Sequence, residues 1–488
     1  MLGKKPGSIS GGAIIMIMMR WVDRLIGIVS TLILARLLVP EDFGIIAMAS
    51  LVVGFADIIF DLGVNVAVIQ KKSPDQSFFN TAWTLRILQS TCVVTFLVLM
   101  APFAADYYND ERVTNAIRVM ALSMFIMSFE NIGIVTFQKE LNFAADAKFT
   151  LSKRLAGFFV TILLTLILDN YWGMIIGALC SRLFSTVLSY FVHPMRPWFS
   201  LAYFKDIFSI SQWVLVKNIS QYLDRNLHII LVGGISKTSV TGGYTLAGEI
   251  SDVPGTDLLA PINRVLFPAF ARVKDDRTEL TKLLLMAQSI QVMVTFPTCV
   301  GFVLTAREFV PVALGDKWMF IVPFIQVLAL SNIIQSISSS ANYVLTVIGQ
   351  IRVLAITSWA QIIIFGLGVA LFQAQLDAEL IAKIRFSAIA LTFALSYYIL
   401  TRYVPTVSIV QMLKGIVRPA LGCGAMVAAL LAIDQAVVLP TPLMLALKVM
   451  TGGLAYCAVV LIAWHLSGRP NGAESYLIDK IARRAPKK

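Results

Sequence analysis

Apolar stretches long enough to cross a lipid bilayer recur along almost the whole chain of 488 residues. The sequence is 58% hydrophobic and only 14% charged, whereas a soluble domain is typically about 45–50% apolar and about 25% charged. A helix that spans the bilayer needs about 20 apolar residues. Fourteen such segments are predicted, at 13–37, 44–69, 81–104, 114–137, 149–168, 172–192, 207–233, 243–270, 283–305, 321–347, 353–374, 380–401, 416–433 and 443–466. The predicted fold class is therefore all-α, a polytopic membrane protein with about 14 transmembrane helices.

The connectors between these segments alternate in charge. One set is basic and includes Lys71, Lys139 and Arg272, whereas the alternate set is acidic and includes Asp110 and Asp377. Basic connectors concentrate on the cytoplasmic side of a membrane protein, so both termini are predicted to be cytoplasmic. These connectors also explain the net charge of +12, and no nucleic-acid partner is expected.

Charged residues also occur inside the apolar segments, where insertion costs roughly 2.5–3.5 kcal/mol for each Arg or Asp at a helix centre. Arg20, Asp23 and Arg24 share one face of the first segment because they stand at i, i+3 and i+4. At an offset of 201 residues, Asp23 matches Asp224 and Arg24 matches Arg225. An even number of spans separates the two copies, which predicts a parallel repeat of two six-helix bundles around a polar cavity.

The repeat leads to a predicted organisation in four parts. Residues 1–195 and 196–402 form the N-terminal and C-terminal six-helix bundles, residues 403–466 add two transmembrane helices, and residues 467–488 form a basic cytoplasmic tail. The end of the tail is read either as an amphipathic helix on the membrane surface or as a frayed basic segment.

Two interpretations compete for the intramembrane charges. In the first, acids and bases pair internally, Asp23 with Arg20 or Arg24 and Asp224 with Arg225, which locks helices together without a substrate. In the second, they line a hydrated cavity, and the interleaved guanidinium groups favour an anionic substrate because they match phosphate oxygens. On the second interpretation the candidate diphosphate ligands are Arg20, Arg24, Arg86 and Arg225, and the candidate coupling or charge-balancing residues are Asp23, Asp57, Asp61, Asp224 and Asp252.

Other polar residues in the spans allow further interpretations. Lys153 and Arg154 lie a few residues inside the fifth span, where snorkelling to the interface is favoured over lining the cavity. Uncharged stripes follow the ninth and tenth spans, and with nearby aromatic residues they are candidates for contacts with sugar hydroxyls. These residues are Gln288, Gln291, Thr295, Gln335, Ser338, Ser339 and Asn342, with Trp213 and Tyr222.

No motif for catalysis or nucleotide binding is recognised. The sequence has no glycine-rich phosphate loop and no cluster with the spacing of metal ligands. The five cysteines all lie in apolar segments without a C-x-x-C pair. No enzymatic activity, cofactor or metal site is therefore expected.

Four turn motifs resemble those of the polysaccharide-transport family. The segment 35–44 (ARLLVPEDFG) resembles the first extracytoplasmic turn of that family, and Asp61-Leu62-Gly63 with Ile69-Gln70-Lys71 resembles the end of its second helix. The segments 138–143 (QKELNF) and 314–318 (LGDKW) resemble later turns of the family. The likeness covers most of the first twelve spans and is greatest to colanic-acid-type exopolysaccharide exporters and lipopolysaccharide flippases.

The resemblance implies both a fold and a function. It implies the two-bundle fold of the multidrug/oligosaccharidyl-lipid/polysaccharide superfamily in the bacterial inner membrane. It also implies alternating-access flipping of undecaprenyl-diphosphate-linked oligosaccharide repeat units for exopolysaccharide or lipopolysaccharide assembly, with Arg20 and Arg24 at the positions of headgroup ligands. The implied partners are this lipid-linked substrate, membrane lipids, a coupling proton or sodium ion, and the polysaccharide polymerase machinery.

Two other functions stay open at the level of the sequence. A cation-coupled multidrug exporter on the same fold would favour a cavity dominated by carboxylates and aromatic residues. A membrane scaffold without transport activity would tolerate neutral substitutions throughout the cavity.

Overall fold

The computed structural model of this protein describes residues 9–60, 63–71, 73–140, 142–208, 211–469, 472 and 474–475. Its regular structure over these residues consists of helices, mostly long α-helices joined by short turns. The predicted all-α polytopic class is confirmed. The tail residues 476–488 and Asp61 lie outside the described residues, so the two readings of the tail stay predictions.

The α-helices follow one another with short connections. In chain order they are α1 (Ile9–Leu37), α2 (Pro40–Ile59), α3 (Val64–Gln70), α4 (Gln76–Tyr108), α5 (Arg112–Ser128), α6 (Val135–Lys139), α7 (Phe143–Leu168), α8 (Tyr171–Val192), α9 (Phe204–Phe208), α10 (Ser211–Ile235), α11 (Thr238–Asp252), α12 (Ala260–Arg272), α13 (Arg277–Ala313), α14 (Val322–Val347), α15 (Ile351–Leu371), α16 (Ala378–Tyr403), α17 (Ile409–Ala436) and α18 (Thr441–Leu466).

Long apolar helices dominate this series. Within the described residues, nine helices are long and apolar enough to cross a membrane by length and composition, or ten if the bent pair at 112–139 counts as one span. The helices α1, α10 and α16 fall below that threshold, and these are helices that carry charged residues within predicted spans. Each of these three helices therefore contains both a predicted membrane span and charged residues within it.

Three predicted spans are broken rather than continuous. Pro254 and Pro261 interrupt the eighth span, since α11 passes into a π-helical turn at Val253–Asp257 before α12 begins. The second span divides into α2 and α3 at Gly63, whose φ of +63° is readily adopted only by glycine. The fourth span bends by 69° between Arg112–Ser128 and Ile132–Lys139. The spans predicted at 44–69 and 114–137 therefore each consist of two helical segments instead of one straight helix.

Asn131 accounts for the bend in the fourth span. Its Oδ1 accepts a hydrogen bond from the Gly133 amide at 2.9 Å, and its Nδ2 donates to the carbonyls of His193 and Met195 at 3.2 and 2.7 Å. The side chain thus takes over hydrogen bonds that a continuous helix would make. It also fixes the segment that follows α8.

The chain divides into two compact units, Met1–Thr245 and Leu246–Lys488. The first unit has a core between α2, α4 and α5 that includes Met48, Leu97 and Ile117. The second has a core between α13, α14 and α16 that includes Leu284 and Val344. The four-part division and the six-helix repeat stay predictions.

Within the second unit, the two helices that follow the predicted bundles are joined to α13 by a buried charge cluster. Lys448 of α18 lies 2.7 Å from Glu308 Oε1 of α13 and 2.6 Å from Asp434 Oδ1 of α17. The Lys448 side chain is 3% exposed, so its charge is compensated inside the protein. Tyr456 adds a hydrogen bond of 2.9 Å to the Met293 carbonyl.

Candidate anion-binding site

The intramembrane carboxylate of α1, Asp23, is paired with a neighbouring helix of the first unit. Asp23 Oδ1 lies 3.0 Å from Arg154 Nε of α7, and each side chain is 46% exposed. A Cβ atom on Gly27 would lie 2.9 Å from Arg154 Nη2, so the absence of a side chain at Gly27 gives the guanidinium room to cross α1. The sequence left pairing of Asp23 within α1 open as one of two interpretations and favoured snorkelling of Arg154, because helical spacing does not show that α7 lies beside α1.

The pairing leaves an excess of positive charge on this face. Three arginines (Arg20, Arg24 and Arg154) stand against one carboxylate (Asp23), which gives a formal charge of +2. Arg20 is exposed and makes no ion pair within the described residues, whereas Arg24 is partly buried. A partly accessible group of guanidinium ions in an apolar helix suits a multiply charged anion, and phosphate oxygens match their fork geometry.

Arg86 belongs to a different cluster, at the bend of the fourth span. Its Nη2 donates to the Met127 carbonyl at 2.9 Å, and its charge lies in the field of Glu130. Glu130 Oε2 accepts a hydrogen bond from Ser185 at 3.2 Å. Arg86 therefore has a structural task, which is to satisfy a carbonyl where the helix ends, and its role as a diphosphate ligand stays a prediction.

On α10, Arg225 is exposed and makes no ion pair within the described residues. Tyr222 of this helix contacts α2, because its hydroxyl donates to the Leu51 carbonyl and its ring centroid is 5.6 Å from that of Phe55. Tyr222 is buried, with 9% of its surface exposed. This burial argues against the expected contact of Tyr222 with sugar, while the side chain of Trp213 lies outside the described residues.

The candidate carboxylates are dispersed. Asp57 is exposed near the end of α2, and Asp224 is partly buried next to Arg225. Asp252, in the second unit, accepts a hydrogen bond of 3.1 Å from Asn332 Nδ2. The structure thus brings Asp23 to an arginine of another helix, and the roles of the other acids stay predictions.

The uncharged stripes of the ninth and tenth spans form a buried seam in the second unit. Gln291 of α13 donates to Asn263 Oδ1 at 2.8 Å and to Ser339 Oγ at 2.9 Å, and it accepts from Ser340 at 2.6 Å. Thr295 adds a hydrogen bond of 3.0 Å to Ser336. These groups satisfy one another, so Gln291, Thr295 and Ser339 join helices, whereas Asn342 of the same stripe is exposed. Gln288 differs, because neither amide atom has a partner within the described residues although the side chain is buried.

Solved structures share this arrangement of helices. The lipid II flippase MurJ in an inward closed conformation aligns with a TM-score of 0.74 at 13% identity and covers 92% of this chain and 98% of its own. An inward-facing multidrug resistance MATE family transporter aligns with a TM-score of 0.58 at 16% identity, over 79% and 96% of the two chains. At these identities the likeness shows the fold, which is that of a polytopic membrane protein of the MurJ and MATE type.

The sequence then identifies the family within that fold. A family model described as polysaccharide biosynthesis protein matches residues 33–323, more than half of the chain. The protein belongs to this family, and the resemblance inferred from its turn motifs is confirmed.

Two curated relatives agree with this assignment. The lipopolysaccharide biosynthesis protein WzxC of Escherichia coli (strain K12) is 28% identical over 64% of this chain, and the chain spans 65% of its length, slightly under two thirds. The teichuronic acid biosynthesis protein TuaB of Bacillus subtilis (strain 168) is 24% identical over 76% of this chain and 78% of its own.

Proposed function

We propose that this protein flips undecaprenyl-diphosphate-linked oligosaccharide repeat units across the bacterial inner membrane, with both termini in the cytoplasm. The observation that carries the proposal is the ion pair between Asp23 and Arg154. Because the only carboxylate among Arg20, Asp23 and Arg24 pairs with a cation of α7, the cluster of these three residues and Arg154 has an excess of positive charge, with a formal charge of +2. That excess fits a diphosphate better than it fits a cationic drug.

The chemistry follows from the accessibility of this face. Arg20 and Arg24 offer planar donors that can each engage two phosphate oxygens, while Asp23 and Arg154 hold one another and fix the distance between α1 and α7. The polyprenyl chain stays in the bilayer, because the lipid tails are as apolar as the chain itself. Moving the chain into a polar site would bring no favourable free energy. Rocking of helical bundles around a central site would carry the headgroup across, by alternating access.

Membership in the polysaccharide biosynthesis family and the names of its relatives support a glycan-related substrate. The carrier lipid, the coupling ion and any association with polymerase machinery belong to the proposal. The multidrug exporter is less favoured, since guanidinium groups outnumber carboxylates in the α1 cluster.

The test is transbilayer movement of a fluorescent undecaprenyl-diphosphate-linked oligosaccharide in vesicles that contain the purified protein. Arg24→Ala is expected to slow flipping at least tenfold, since a charge-assisted hydrogen bond contributes about 1.5–3 kcal/mol. Arg118→Ala is the matched control, because Arg118 is exposed on α5 and contacts Asn115 only weakly, at 3.5 Å. An unchanged rate for Arg24→Ala would remove Arg24 from the mechanism, and drug efflux without lipid flipping would favour the exporter.

A further inference from the structure

Arg385 of the second unit is a cation that the proposed α1 site does not use. It is the eighth residue of α16, which runs from Ala378 to Tyr403, so it lies about 10 Å from the start of the helix at 1.5 Å per residue. Connector charge predicts that this end faces away from the cytoplasm. The depth is that of a transmembrane segment, where an uncompensated guanidinium is expensive.

The position of Arg385 on α16 points it into the protein. Residues three or four positions away on either side are buried, namely Ile381, Ala388 and Ile389. The opposite stripe, with Lys383, Ser387 and Leu391, is exposed. Since residues at i±3 and i±4 share a helix face, Arg385 lies on the packed face of α16 rather than on its outer surface.

Neighbouring helices enclose this face. Tyr397, three turns further along α16, donates to the Ile337 carbonyl of α14 at 3.1 Å, so α14 packs beside this helix. A Cβ atom on Gly368 of α15 would lie 2.5 Å from Ile384 Cγ2, so α15 passes close to the residue that precedes Arg385. The Arg385 side chain is partly exposed, on a helix that packs against both α14 and α15.

Within the described part of the chain, the Arg385 guanidinium has no ion-pair partner. Arg385 Nε is fully buried and has no acceptor, and the described residues provide neither an ion pair nor a hydrogen bond to this side chain. Lys383, only two residues earlier, is paired with Glu379 at 2.7 Å. The same helix therefore carries one neutralised cation on its outer stripe and one uncompensated cation on its packed face.

We propose that Arg385 is a second anion-binding position, in the second unit, and that its ligand is a phosphate group. A guanidinium held on a packed face offers fixed donors to phosphate oxygens and gains a counter-charge when they bind. The position deepens the proposed flippase function and rests on it for the identity of the natural ligand, the diphosphate of the lipid carrier. Binding of a phosphate group to Arg385 is a separate property that does not require the protein to flip lipids.

The experiment measures calorimetric binding of two probes, a short-chain prenyl diphosphate and inorganic diphosphate, to the full-length protein in detergent. It uses an Arg24→Ala background so that the α1 cluster does not mask the second position. Adding Arg385→Gln is expected to weaken prenyl diphosphate binding about tenfold to a hundredfold. Adding Arg385→Lys instead is expected to weaken this binding less, because lysine keeps the positive charge. Lys383→Gln is the matched control and is expected to bind as the background does.

Each outcome decides the proposal. Weaker binding of both probes supports a site for the phosphate atoms themselves, and weaker binding of the prenyl probe alone supports a site for the lipid headgroup. Equal affinities with and without Arg385→Gln, or an equal loss with Lys383→Gln, would overturn it. Equal melting temperatures of the variants show that the fold is kept. If the wild type binds through Arg385 but flips no lipid-linked oligosaccharide, the flippase function fails and the anion position stands.

Discussion

Asp23 of α1 and Arg154 of α7 form an ion pair of 3.0 Å between two helices of the first unit. Because both side chains are 46% exposed, the pair contributes at most about 1 kcal/mol to stability. Its importance is electrostatic, because Asp23 pairs with an arginine of another helix instead of with an arginine of α1.

This relationship predicts an unusual pair of variants. Arg154→Gln releases Asp23 to pair with Arg20 or Arg24, which should reduce flipping of lipid-linked oligosaccharide about tenfold, as expected for losing one charge-assisted contact. Asp23→Asn combined with Arg154→Gln removes the competing carboxylate and should restore much of the rate, a coupling that a double-mutant cycle measures. Lys153→Gln is the control on the same helix. Additive losses in the double variant would contradict the assignment.

The burial of Tyr222 predicts a loss of stability without a loss of function. Tyr222→Phe removes the hydrogen bond to the Leu51 carbonyl between α10 and α2, which should lower the free energy of unfolding by about 1 kcal/mol. The flipping rate of the folded fraction should stay at the wild-type level, since the hydroxyl faces the protein interior. The measurements are the melting temperature in detergent and flipping in vesicles, with the exposed Tyr398→Phe as control. A stable variant that flips slowly would indicate a sugar contact instead.

Two glutamines on α13 predict opposite effects of the same substitution. Gln291→Leu leaves Asn263, Ser339 and Ser340 without their partner and should destabilise the protein by about 1–3 kcal/mol. Gln288→Leu removes a buried amide that has no partner within the described residues and should raise the melting temperature, because burying an unsatisfied amide costs about 1–3 kcal/mol. If Gln288→Leu also lowered the melting temperature, a polar partner of Gln288 would have to exist in the folded protein.

His193 predicts a pH dependence of stability at the end of α8. Burial, assisted by Arg196 and opposed by Glu140, lowers the pKa of His193 below its ordinary 6.5. Its Nδ1 accepts the Met195 amide at 3.2 Å, which requires this nitrogen to be unprotonated. Neutral His193 therefore contributes its full stabilisation above pH 6.5. This stabilisation is lost as the pH falls through the lowered pKa.

The check is the melting temperature of the purified protein as the pH is lowered from about 8 to about 5, a range that brackets the histidine titration. The wild type should lose stability over the lower part of this range, and His193→Asn should show a smaller dependence, since an amide oxygen can accept the same hydrogen bond without titrating. His465→Asn, at an exposed position, should behave as the wild type. Parallel curves for His193→Asn and the wild type would refute the role of this imidazole.

The sequence by itself determined the class of the protein. The length of an apolar segment and the charge of its connectors are local properties, and they determine how the segment inserts into a bilayer. It also located the charged residues of α1 and their counterparts on α10. It missed the bend at Asn131 because that residue depends on carbonyls of His193 and Met195, which lie far away in sequence.

Only the tertiary structure decided what the intramembrane polar residues contact. Helical periodicity places Asp23 between two arginines of its own helix, yet packing of α1 on α7 gives it Arg154. The same periodicity makes Gln291 and Arg385 look alike as polar residues in apolar spans. Packing satisfies the amide of Gln291 and leaves the Arg385 guanidinium uncompensated within the described residues. The physical reason is that burial and partner choice depend on neighbours from distant segments, which no local pattern specifies.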